Sequence, residues 1–178
     1  AGNGSAVSGN TAGTSSNDLV FDTYAAGTPG SGYTDGGTVT LSNHRAASSI
    51  AFQGNGPMTV TSTGHTLTVG GTGTRKGIYV LSGSANNTVS TEVALANSAC
   101  TFSNAGSGLL TIGGAISSSG NQNLTVNGSG NTTISSVIGI GTGTLTKSDG
   151  GILTLSGASP NTFTGLTTVS AGELDLAK

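Results

Sequence analysis

His44 and His65 stand 21 residues apart, and in a chain that coils with that period the two imidazoles would lie side by side. Histidine is the commonest metal ligand, so such a pair could hold a transition metal weakly. A site needs further ligands, however, and no Asp, Glu or Cys falls at a third equivalent position. Both histidines follow turn formers, Asn43 and Gly64, so solvated or turn-bonding rings are the expectation and metal binding the rival.

Hydrolysis or elimination on a polysaccharide would need carboxylates and a base converging on one face. The seven acids are Asp18, Asp22, Asp35, Glu92, Asp149, Glu173 and Asp175, and they are scattered. Advancing Asp149 by one 21-residue step lands on Ser170, not a second carboxylate. Cys100 is the single cysteine, so no internal disulfide can form; it precedes Phe102 by two in an alternating run and should point with it into the core. The segment GGTGTRKG has the glycine density of a phosphate loop but lacks the GK[ST] ending and a following helix. No catalytic, cofactor-binding or metal-binding residue is assigned, and the chain reads as non-enzymatic.

Charge narrows the partners. Five basic and seven acidic residues leave a formal net charge of -2, and Arg75-Lys76 is the largest basic cluster, which excludes nucleic acid binding. No run approaches the roughly 20 apolar residues of a membrane-spanning helix, and no signal-peptide core is visible, so the chain reads as a soluble segment, mature or excised. Only 7% of residues are charged and 4% aromatic, whereas glycine occurs 32 times among 178. Each ordered glycine is entropically costly, and repetition is one way to offset that cost.

The elements that could position any of these residues are written as a repeat. Apolar residues centre alternating runs at Val39, Val60, Leu81, Phe102, Leu124 and Leu145, in steps of 21 or 22. A second series runs Leu67, Val89, Leu110, Thr132, Leu153, Leu174, and a third joins Leu95, Ile116 and Ile138. Three phase-locked series predict three short strands per turn of about 21 residues, separated by turns at Gly70-Gly71, Ser82-Gly83, Gly113-Gly114, Asn127-Gly128 and Ser156-Gly157. Equal steps favour coils stacked about 4.8 Å apart over hairpins. The predicted fold is all-β, a right-handed parallel β-helix (β-solenoid) of roughly eight turns if the period reaches both ends.

In that register the outer face carries Thr38 and Thr40, Thr59 and Thr61, Val80 and Ser82, Thr101 and Ser103, Asn123 and Thr125, Thr144 and Thr146. A regular threonine row could order water and bind ice or a flat polysaccharide surface, but this one is interrupted. Lys147, placed over Val126, is expected to reach water as the chain leaves its strand, and Arg75 and Lys76 to be solvated loop charges. Residues 1–17 read as a flexible Gly/Ser/Thr arm and 18–178 as a single β-helix domain, a fragment of a longer repetitive protein, with order beginning at Asp18-Leu19-Val20-Phe21 and a loop over 25–37.

Residues 141–176 resemble the autotransporter-associated β-strand repeat, also called the passenger-associated transport repeat. The pattern lies in Gly141, Gly143, Leu145, Lys147, Gly151, Leu153, Leu155, Gly157, Asn161, Phe163, Gly165, Thr167, Val169, Gly172, Leu174 and Leu176. HTLTVGG, LLTIGGAISSSG and NLTVNGSG look like degenerate copies upstream. Asp149 stands where the motif usually has glycine, and Ser159-Pro160 is inserted before Asn161. The resemblance implies a bacterial secreted or surface-displayed stalk, located outside the cell or on the outer membrane. Its implied partners are neighbouring repeats of the same protein and an outer-membrane translocation barrel. A monomer is expected. The alternative reading is an adhesin that binds surface glycans, although Tyr24, Tyr33 and Tyr79 are the only tyrosines and tryptophan is absent.

Overall fold

The computed structural model describes residues 7–8, 19–22 and 36–178. Every described element is a strand, and the strands assemble into three sheets that wrap one apolar interior. Sheet 1 contains Gly37–Leu41, Met58–Ser62, Asn87–Val89, Leu110–Ile112, Thr132–Ile134, Ile152–Ser156 and Glu173–Ala177. Sheet 2 contains Arg45–Ala47, Thr66–Val69, Glu92–Leu95, Ile116–Ser118 and Ile138–Gly139. Sheet 3 contains Val7–Ser8, Leu19–Asp22, Ser49–Gln53, Gly77–Val80, Ala99–Asn104, Asn123–Asn127, Leu145–Lys147 and Thr167–Val169. The chain visits sheets 1, 2 and 3 in rotation, and each strand pairs in parallel with its counterpart one turn away. Val7–Ser8 is the exception, pairing antiparallel with Leu19–Asp22. The fold is a parallel β-solenoid of about 6 turns with a period of about 22 residues.

Alternation explains the core. In Ala99–Asn104 and Asn123–Asn127 every second side chain is buried, so Cys100, Phe102, Leu124 and Val126 point inward while Thr101 and Thr125 point out. Phe52 and Phe102 are the largest apolar side chains in the interior, and both are fully buried. The buried asparagines within it are bonded: Asn87 Oδ1 accepts from the Met58 amide, and Asn104 Nδ2 donates to the carbonyls of Gly108 and Asn131, whereas the Thr132 hydroxyl has no protein partner. At the corners, asparagines knit one turn to the next. Asn86, Asn123 and Asn131 each accept, through Oδ1, from a backbone amide of the following turn, at Leu109, Thr144 and Ile152.

The register corrects the equal-step reading in the N-terminal half. Val39 does pair with Val60, but Val60 pairs with Val89, not with Leu81. Met58 and Asn87, neighbours of that pair, are 29 positions apart. The extra length is a loop over residues 70–76 and a turn over 81–86. Gly70 and Gly77 bound the loop at φ 101° and 127°, where added Cβ atoms would strike Cys100 Sγ and the Thr101 carbonyl. Leu81 therefore sits half-buried in a turn, whereas Val80, expected outside, is buried between Phe52 and Asn104.

Three further steps slip by two residues: Val89 pairs with Ile112 rather than Leu110, Phe102 with Val126 rather than Leu124, and Ile116 with Val93 rather than Leu95. Leu67 belongs to sheet 2, whereas Val89, which follows it in the predicted series, belongs to sheet 1. The C-terminal steps agree. Leu124 pairs with Leu145, Ile116 with Ile138, and Leu110, Thr132, Leu153 and Leu174 form one column.

Of the predicted arm, Val7–Ser8 alone is described, and most of the predicted 25–37 loop lies outside the described residues. The last complete turn has no sheet 2 strand. Residues 157–166 replace it with bends and irregular backbone, at the point where Ser159-Pro160 interrupts the motif and proline removes an amide donor. Asn161 still closes the gap, its Oδ1 accepting from the Ile138 amide at 3.0 Å.

Candidate functional site

The histidine pair forms as the spacing predicts. The rings of His44 and His65 meet edge-on, with centroids 5.3 Å apart and planes at 85°. His44 Nδ1 accepts from the Thr66 amide at 3.0 Å, which commits its neutral ring to carrying hydrogen on Nε2. That tautomer offers no free lone pair outward. Among the described residues no group of three His, Cys, Asp or Glu side chains converges.

Glu92 is not isolated. Its carboxylate accepts from Thr66 Oγ1 at 3.2 Å on one side and from Ser117 Oγ at 2.7 Å on the other, stapling three turns of sheet 2 at its surface. Asp149 sits at a corner with φ 59°, the left-handed conformation that explains why the motif usually places glycine there. Its Oδ2 accepts from the Gly128 amide. Glu173 is exposed on the last strand of sheet 1, and Asp175 lies with it. Asp18 and Asp35 lie outside the described residues, and Asp22 is described only as part of its strand.

Arg75 lies over the Tyr79 ring at 5.4 Å, and Lys76 Nζ donates to Asn97 Oδ1, so both cations are engaged with the protein. The tyrosine thereby loses one face as a sugar platform. Tyr24 and Tyr33 lie outside the described residues.

Lys147 departs from expectation. It stacks on Val126 as predicted, but only 2% of it is exposed, and its ammonium donates to the carbonyls of Ser148 at 2.7 Å, Asp149 at 2.8 Å and Ala171 at 3.3 Å. Three carbonyls satisfy all three of its protons, which lets a cation sit where the column carries Phe102, Val126 and Val169. Burial pushes its pKa down, against the pull of the Asp149 carboxylate. Cys100 is buried beside Gly70 as the alternation predicts, and burial pushes its thiol pKa up.

The most extended regular surface was hidden by the register. On the outside of sheet 1, Thr38, Thr59, Thr88, Thr111, Thr133 and Thr154 pair successively, so six threonines form one unbroken row that ends at Asp175. The signal was present in sequence as a recurring tripeptide: TVT at 38 and 59, TVS at 88, TIG at 111, TIS at 133 and TLS at 154. The six strands carrying the row contain no Asp, Glu, Lys or Arg. Among the described residues, none of the six hydroxyls hydrogen-bonds to the protein. A shorter row, Thr101, Thr125, Thr146 and Thr168, runs along sheet 3.

Fold and surface together define a parallel β-solenoid that displays rows of identical polar side chains. Residues 145–176 match the family model of the passenger-associated-transport-repeat, within the segment whose motif pattern carries the resemblance. Comparison with curated proteins and with solved structures returns no match.

Proposed function

We propose that the chain is a rigid, non-enzymatic spacer in a secreted or surface-displayed bacterial protein of the autotransporter passenger kind, stacked end to end on further coils of the same repeat. The observation that carries this reading is the in-register stack itself: Leu110, Thr132, Leu153 and Leu174 form one column that runs into the passenger-repeat segment, so each coil is held by its neighbours. Along that stack Leu124, Leu145, Leu153 and Leu155 are buried, each paired with its counterpart one turn away. The passenger repeat in residues 145–176 supports the location and the role.

The test places the chain between an outer-membrane barrel and a reporter and measures reporter display on intact cells. A folded spacer supports display, and Leu124→Asp, which breaks the stack, reduces it. Equal display by both chains would overturn the spacer role, and product release from a polysaccharide panel would overturn the non-enzymatic reading.

A further inference from the structure

The uncharged threonine row of sheet 1 has a spacing that selects among ligands. Parallel strands stand about 4.8 Å apart, so the six hydroxyls repeat at that interval along the axis. Hydroxyl groups hydrogen-bonded at about 2.75 Å in a tetrahedral network place second neighbours about 4.5 Å apart. The two intervals differ by about 0.3 Å, within the ordinary spread of hydrogen-bond lengths. A neighbouring outward column adds hydroxyls on either side of a gap at Gly113: Thr40 and Thr61 pair, and Ser90, Ser135 and Ser156 stand at the same place in the recurring tripeptide.

We propose that this face binds ice, with the threonine hydroxyls anchoring a lattice of ordered water whose repeat follows the rungs. Three observations favour water over other flat partners. The six strands bear no charge, which would orient water away from a lattice and which an anionic polymer or lipid surface would require. None of the six hydroxyls is taken by a protein partner among the described residues, so each is free to donate and accept outward. Those strands also contain no aromatic residue, the usual platform for a sugar ring. The proposal is independent of the spacer role, because it concerns the side of the rod rather than its end.

The test uses the 178-residue chain in ice recrystallisation and thermal hysteresis assays, beside Thr111→Lys/Thr133→Lys, Thr111→Val, and Thr68→Lys on sheet 2 as the off-face control. Far-UV circular dichroism and melting verify each fold. The chain is expected to suppress ice growth at micromolar concentration. The double lysine variant should lose at least tenfold in potency, while Thr68→Lys retains it. Thr111→Val keeps the β-branched shape and covers the case in which the lysines unfold the protein; it should lose potency with an unchanged melt. No ice activity at millimolar protein, or equal activity in a folded double variant, would overturn the proposal. So would sedimentation with insoluble cellulose or chitin without ice activity, which would reassign the face to a neutral polysaccharide.

Discussion

Lys147 donates through its ammonium to the carbonyl of Asp149 at 2.8 Å, and Asp149 presents that carbonyl from a left-handed conformation of φ 59°. The pair closes a corner in which a buried cation is held by backbone alone, with help from Ser148 and Ala171. Asp149→Ala keeps the unfavourable φ and removes the bond from the Gly128 amide, so it should cost about 1–2 kcal/mol in denaturant melts. Asp149→Gly relieves the conformation while losing the same bond and should fall within about 1 kcal/mol of the native chain.

The same corner has a pH signature. Burial lowers the Lys147 pKa below the ordinary lysine value of 10.5, so the folded state binds fewer protons than the unfolded state in the window between the two. Stability attributable to this group should therefore rise with pH as the unfolded lysine still holds its proton. Melts of native and Lys147→Met chains from neutral pH to pH 10.5 isolate the effect, because Cys100 and Lys178 are common to both. The native-minus-variant difference should grow toward the alkaline end, and a flat difference would reject it.

Interior position is tested by neighbours of opposite environment. Val80 is buried and Leu81 is half-buried in a turn, so Val80→Asp should destabilise by more than about 3 kcal/mol and Leu81→Asp by about 1. Thermal melts that ranked them in the reverse order would restore the equal-step register.

Leu124, fully buried between Cys100 and Leu145, is the central test of the stack. Leu124→Asp places an unpaired carboxylate there and should lower the melting temperature by about 10 °C or more. Phe102→Ala, which opens a cavity without adding charge, should cost about 3–5 kcal/mol.

Cys100 offers a chemical probe of local opening. Its thiol is 1% exposed and burial raises its pKa, so the reactive thiolate is scarce in the folded chain. Alkylation should be slow at neutral pH and should accelerate to the rate of a free thiol across the unfolding transition.

How much was legible in the sequence varies along the chain, for a physical reason. From Leu110 onward, one-turn partners such as Leu124 with Leu145 and Leu153 with Leu174 sit at constant spacing because the corners are short, and there spacing predicts register. Before that point, the loop over 70–76 and the turn over 81–86 lengthen a coil without disturbing its strands, so Leu81 occupies an expected spacing but not an expected place. Spacing counts residues, whereas stacking aligns strands. The tripeptide from Thr38 to Ser156 survives these insertions because it belongs to the strands, and it locates the threonine row that equal steps broke apart. The cage around Lys147 was illegible for another reason: its acceptors are carbonyls, which every residue supplies and no residue type announces.

The long corner between Gly70 and Gly77 shows that a coil can bulge sideways while its strands stay aligned with those above and below. Foreign peptides grafted at that point would therefore project from the flank of the solenoid without changing its length, which makes the corner a natural mount for an epitope or a tether.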